Sequence, residues 1–140
     1  MIVLDTDHMS LLVWGSAEAA RLRERLADRE EGEVFTTIIN YEEQIRGWMA
    51  YLARTKSIAE QVVAYRRLRN HLDNYRQIPV LDFDQAAADV YERLRKSRIR
   101  VPTMDLKIAA IVISLDATLL SRNKRDFAKV RGLKLEDWTV

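Results

Sequence analysis

At 140 residues, with no cysteine and a formal net charge of +2, the chain has room for one domain and excludes both a disulfide framework and a thiolate metal site. Apolar residues make up 48% of it, enough for a real hydrophobic core, which excludes a disordered or low-complexity chain. Neither His8 nor His71 has a nearby ligand partner at zinc-like spacing, so any metal must be held by oxygen.

The chain opens on Ile2-Val3-Leu4, a continuous apolar run that breaks at Asp5, as expected of a strand buried on both faces of a parallel sheet. No basic leader precedes it, the run is too short for a signal peptide, and no later segment has bilayer length, so a cytoplasmic protein is expected. Residues 6–14 and 17–30 read as helices, the second rich in Ala, Leu, Arg and Glu and stopping before Gly32. Val34 to Ile39 is β-branched and reads as the next strand. Asn40 and Glu43 have capping-box spacing, which predicts a helix from there to about Arg54.

Ile58, Val62, Tyr65, Leu68, Leu72 and Tyr75 recur at steps of three and four, predicting a long amphipathic helix over 57–76 that Pro79 ends. Val80 to Phe83 reads as a short strand. Asp84 then caps a helix with Ala87, Val90, Tyr91 and Leu94 facing inward. Pro102 and Thr103 open a helix through Leu115 that is apolar nearly all round and is therefore expected to be central and buried. Thr118 to Ser121 and Leu133 to Glu136 complete the strands, with a short turn or helix around Asp126 between them. Strands alternating with helices predict one α/β domain over 1–140, a three-layer α/β/α sandwich around a parallel sheet of four or five strands.

In such a sandwich, strand carboxyl ends and the N-termini of the helices that run back share one edge. Asp5 ends the first strand; Glu43 lies in the first turn of the helix after the second; Asp105 opens the buried helix; Asp126 follows the third confident strand. All four are expected on that edge, with Asp7 and Glu42 among the few other acids that share it. Each alone could be a capping or strand-ending acid. Together, an Asp interrupting a buried strand and an Asp opening the most apolar helix point to a carboxylate pocket. Like charges about 4 Å apart repel by roughly 4 kcal/mol at an effective dielectric of about 20, so the pocket requires protonation or a cation. Mg²⁺ or Mn²⁺ is the natural occupant of a hard-oxygen site, where it supports phosphodiester hydrolysis by metal-activated water. Basic clusters at Arg66–Arg76, Arg93–Arg100 and Arg122–Lys134 suit a polyanionic substrate, although each alone would suit a solvated helix face.

These residues resemble those of PIN-domain ribonucleases, in particular VapC-type toxins of toxin-antitoxin pairs. Ile2-Val3-Leu4-Asp5-Thr6-Asp7 is similar to the family's opening strand and Leu-Asp-Thr-Asn, with Asp7 where Asn is more usual. Thr37 to Gly47 resembles its strand-to-helix turn, where an acid four residues before a Gly selects Glu43 over Glu42. Asp105-Leu106-Lys107-Ile108-Ala109-Ala110, then Ser121-Arg122-Asn123-Lys124-Arg125-Asp126-Phe127, resembles the pattern Asp, Ile-Ala-Ala, Thr-x-Asn-x-x-Asp-Phe; Ser121 keeps the hydroxyl of the common Thr. The resemblance implies a divalent-metal endoribonuclease, a homodimer, and a cognate antitoxin that blocks the site. The expected metal ligands and catalytic groups are Asp5, Glu43, Asp105 and Asp126, supported by Thr6, Ser121 and Asn123. Arg46 and Lys124 are candidates for substrate phosphate.

Two other readings are open at this point. Asp5-Thr6-Asp7 after an apolar strand also looks like the opening of a haloacid-dehalogenase-type phosphatase, although that gives Glu43 no role. An inactive PIN-like binding module is the other. His8 is expected at a helix surface or pocket rim, and His71 at the surface. Trp14, Trp48 and Trp138 are expected to pack or to sit in interfaces. The paired helices at 41–55 and 57–76 offer an apolar groove for a partner's helix.

Overall fold

The computed structural model describes every residue except Trp14 and Glu31. Its strands are β1 (Ile2–Leu4), β2 (Val34–Thr37), β3 (Val80–Leu81), β4 (Thr118–Leu120) and β5 (Lys134–Glu136). The helices are α1 (Thr6–Leu11), α2 (Ala17–Ala27), α3 (Ile38–Ala53), α4 (Ile58–Gln77), α5 (Gln85–Lys96), α6 (Thr103–Ser114) and α7 (Lys124–Phe127). The five strands form one parallel sheet in the order β3-β2-β1-β4-β5.

Because side chains alternate across a strand, the apolar run of β1 feeds two cores at once. Val3 joins Leu119 and the apolar α6 on one face, with Ala87 and Leu94 of α5 behind them. Ile2 and Leu4 join Leu120, Met9, Leu22, Tyr75 and Trp138 on the other. The sheet is therefore covered on both faces, as a three-layer α/β/α sandwich with five strands. The α6 stretch Ile108 to Val112 is at most 1% exposed, as its all-round apolar sequence requires. It ends by placing Asp116 at φ 51°, while the amides of Asp116 and Ala117 bond back to the carbonyls of Ile113 and Val112.

The sequence boundaries shift in two informative places. The second strand stops at Thr37, not Ile39, because the Thr37 hydroxyl accepts from the Asn40 amide and starts α3 at Ile38. Asn40 is thus the third residue of the helix rather than its cap, and Glu43 falls in the second turn rather than the first. The first helix ends at Leu11, and Trp14, with its expected packing role, lies outside the described residues. Ser16, Ser57 and Asp84 cap α2, α4 and α5 by the same side-chain bond.

Candidate metal centre

At the carboxyl end of β1 the backbone delivers Asp5 into a nearly closed environment, 6% exposed. Its two oxygens are held from opposite sides. Asn40 Nδ2 donates to Oδ1 at 2.8 Å and Ser121 Oγ donates to Oδ2 at 2.7 Å. Asn40 lies in the first turn of α3, just after β2, and Ser121 follows β4 directly, so the parallel pairing of both strands with β1 sets the carboxylate's orientation. The same Asn40 amide reaches Thr6 Oγ1 at 3.0 Å, and Thr37 Oγ1 donates to Asn40 Oδ1 at 2.6 Å. A buried polar network of this kind is tolerated because each donor finds an acceptor.

Asp105, in the first turn of α6, is joined to the site by Asn123. The Asn123 amide lies 3.3 Å from Asp105 Oδ2 and 3.2 Å from Asp126 Oδ2, bridging the two acids, while its Oδ1 accepts from the Asp126 amide at 3.4 Å. Asn123 caps α7 through that last bond, which turns Asp126 toward Asp105. Glu43 is half-buried on α3. Burial pushes the Asp105 carboxyl up to about 6, helped by the charges of Asp5, Glu43, Asp126 and Asp7 in that order. Burial likewise pushes Asp5 up to about 6, with the charge of Asp7 adding to it and the bonds from Ser121 and Asn40 opposing it. Asp5, Glu43 and Asp126 are thus close enough for their charges to act on the fourth acid, Asp105.

The cluster is short of positive charge. Among the described residues no Lys or Arg pairs with Asp5, Glu43 or Asp105; Lys129 approaches Asp126 at 3.9 Å. Nor, among the described residues, do three His, Cys, Asp or Glu side chains already form a cage for a metal ion. Hard oxygens in a charge-deficient pocket, without a rigid cage, fit Mg²⁺, which keeps several waters and takes one or two carboxylates directly.

A family description, PIN domain, matches residues 2–133. The chain belongs to the PIN domain family. Solved structures with this PIN fold include VapBC-1 of nontypeable Haemophilus influenzae, at TM-score 0.78 and 23% identity over 100% of both chains. DNA-bound VapBC of Salmonella typhimurium follows at 0.74 and 23%, covering 98% of this chain and 97% of that one. The Sarcin-Ricin loop cleaving toxin VapC20 of Mycobacterium tuberculosis gives 0.56 and 16%, covering 91% and 94%. No curated protein sequence gives a significant match. With a PIN domain established, the resemblance of Asp5-Thr6-Asp7 to a phosphatase opening is a local coincidence.

Around this PIN-domain site the two histidines stand elsewhere than the sequence led one to expect, while the other residues singled out do not conflict with it. Arg46 is exposed and paired with Glu42 on its own helix, and Lys124 is exposed at the start of α7. His8 is 0% exposed rather than on a surface or rim, and His71 is 5% exposed rather than on the surface. His71 is enclosed by the rings of Tyr41, Trp48 and Tyr75, and burial lowers its pKa. Trp48 is half-buried against Tyr51, and Trp138 packs in the core. Asn40 is the member of the site that its local pattern concealed. Its capping-box position explained it too easily, whereas only the pairing of β1 with β2 brings it to Asp5. Tyr75 was read as a core residue of α4, yet its hydroxyl lies near enough to Asp5 and Glu43 for their charges to act on it. Among the described residues, no helix is long and apolar enough to cross a membrane.

Proposed function

We propose that this PIN domain is a Mg²⁺- or Mn²⁺-dependent endoribonuclease and the toxin of a toxin-antitoxin pair. One observation carries the reading: a hydrogen-bonded path runs from Asp5 through Ser121 and Asn123 to Asp105 and Asp126, joining acids from separate elements, and after burial the charges of Asp5, Glu43 and Asp126 help to raise the Asp105 carboxyl. Acids gathered this way, with Lys129 beside Asp126 as the one Lys or Arg paired with any of the four among the described residues, destabilise the fold, so their retention is best explained by a cation that uses them.

In this reading Asp5, Glu43 and Asp105 hold the ion directly or through water, and Asp126 extends the set. A bound divalent ion supplies an activated water and offsets charge on the scissile phosphodiester. Ser121 and Asn40 fix the direction of the Asp5 oxygens, and Asn123 fixes the spacing of Asp105 and Asp126. Thr6 supports Asn40 from the other side. Arg46 and Lys124 are exposed and free to reach a phosphate, Arg46 by exchanging its partner Glu42. RNA as the substrate places the protein in the cytoplasm.

For the antitoxin we assign the groove between α3 and α4, about 380 Å³, lined by Tyr41, Ile45, Met49, Tyr65, Leu68 and Leu72. Met49, Tyr65 and Leu72 are 43–55% exposed there, an apolar surface suited to the nonpolar face of a partner helix. Structural relatives include a toxin-antitoxin complex from Klebsiella pneumoniae and a member of the VapBC family of toxin-antitoxin systems from Mycobacterium tuberculosis, which supports such a partner. A homodimer is part of the same reading, and sedimentation of the purified chain tests it.

The deciding experiment incubates the purified protein with Mn²⁺ and a set of structured RNAs beside Glu43→Gln and an EDTA control. Discrete cleavage lost in both controls is expected. Absence of any Glu43-dependent cleavage overturns the nuclease reading in favour of an inactive binding module.

A further inference from the structure

Beside the four acids stands Asp7, a fifth carboxylate that the proposed reaction leaves unused, and behind it a histidine with no access to solvent. His8 Nε2 lies 3.3 Å from the Trp138 amide. A main-chain N–H only donates, so toward Trp138 Nε2 accepts and Nδ1 donates to Asp7 Oδ1 at 2.6 Å; Asp137 Oδ1 stands farther from Nε2, at 3.7 Å, beyond hydrogen-bond reach. The C-terminal segment thereby fixes the tautomer. Asp7 Oδ2 accepts from the Arg122 amide at 3.0 Å and lies 3.3 Å from Ser121 Oγ, the same hydroxyl that donates to Asp5.

The segment that holds His8 is itself clamped. The guanidinium carbons of Arg25 and Arg29 lie 4.5 and 5.0 Å from the centre of the buried Trp138 ring, and Arg21 Nε donates to the Thr139 carbonyl at 2.8 Å. A continuous chain of contacts therefore runs from α2 through Trp138, His8 and Asp7 to the turn beside Asp5. The charge of Asp7 also acts on both Asp5 and Asp105.

We propose that His8 is a positioning residue of the metal centre: it transmits the placement of the clamped C-terminal segment to Asp7, which fixes the 121–122 turn and adds a fifth negative charge to the cluster. Its functional meaning rests on the nuclease reading; its geometry does not. Asp7 is held by two donors, the His8 ring and the Arg122 amide, so losing either frees it to swing away from the cluster.

Two conservative variants separate the arms of the ring. His8→Asn places an amide where Nδ1 stands and keeps the donor to Asp7, whereas His8→Gln reaches the Nε2 position and keeps only the contact with Trp138. Two readouts follow in each: the amide proton resonance of Arg122 in metal-free protein, and Mn²⁺ affinity by calorimetry without RNA. In His8→Asn, both are expected to stay near wild type. In His8→Gln, the Arg122 resonance moves upfield and Mn²⁺ binds about tenfold more weakly. Both variants vacate ring volume in the same buried place, so a role in packing alone would lower both melting temperatures and leave these two readouts alike. That equality overturns the proposal. If His8→Gln does not fold, Asp7→Ala at its partly exposed position carries the test: an unchanged Arg122 resonance and unchanged Mn²⁺ affinity overturn it. Wild-type protein that takes up no Mn²⁺, or Asp105→Asn protein that takes it up unchanged, refutes the metal reading separately, and the Arg122 resonance then decides the relay.

Discussion

Replacing Asp5 by Asn is expected to abolish the proposed RNA cleavage while making the metal-free protein more stable. Burial and the charge of Asp7 raise the Asp5 carboxyl from 3.8 to about 6 in the folded state. A raised acid binds its proton more tightly folded than unfolded, so the folded state is favoured at low pH and pays a penalty once Asp5 ionises. At 1.36 kcal/mol per unit, that penalty is about 3 kcal/mol at pH 7.5, falling to roughly half at pH 5 and nearly vanishing by about pH 3. Asparagine removes the charge yet fits the bonds: its oxygen accepts from Asn40, and its amide donates to Ser121 Oγ, whose hydroxyl proton turns to Asp7. The lost charge-assisted bonds offset part of the gain, leaving about 1–2 kcal/mol, or roughly 3–6 °C in melting temperature for a chain of this size. Thermal unfolding in EDTA at pH 7.5 and pH 5, wild type beside Asp5→Asn, measures it. A variant that is less stable at pH 7.5, or one whose advantage does not shrink at pH 5, refutes the electrostatic account of the pocket.

Further outcomes follow from the same contacts. Asn123→Ala removes the bridge between Asp105 and Asp126 and is expected to weaken Mn²⁺ binding by about 10–100-fold in calorimetry, with a stability change of about 1 kcal/mol from the lost cap. His71→Phe keeps the stacked ring but deletes Nε2, which has no hydrogen-bond partner, so urea unfolding is expected to show a gain of up to about 1 kcal/mol. That gain grows below pH 6.5, because the lowered pKa of His71 makes the wild type lose stability as pH falls. Trp138→Ala empties one of the largest fully enclosed side-chain volumes and is expected to cost about 3–5 kcal/mol in the same assay.

Much of this architecture is legible from local pattern, because local pattern is what buried strands and amphipathic helices are made of. Ile2-Val3-Leu4 announces a central strand, and the apolar stretch of α6 announces a helix with no wet face. The edge argument expected Asp5, Glu43, Asp105 and Asp126 together through topology, and Ser121 and Asn123 link three of them, Asp5, Asp105 and Asp126, by hydrogen bonds. What stayed hidden depends on partners far away in sequence. His8 reads as a surface histidine until Trp138, 130 residues later, occupies its ring nitrogen. Asn40 reads as a helix cap until Asp5 claims its amide, and the cap belongs instead to Thr37, which a β-branched run disguises as strand. His71 lies in a helix whose stripe was judged by aliphatic spacing, and its burial comes from rings on α3 and α4 packing around it.

The place of β1 in the sheet sets when the carboxylate site can assemble. Its first residues must pair with β4 near residue 118, and Asp5 reaches its final orientation only when Ser121 arrives, 116 positions downstream. A chain growing from its N-terminus on the ribosome therefore carries an unassembled site until residue 121 has emerged. On the proposed nuclease reading, that order of assembly spares the message and the machinery still making it.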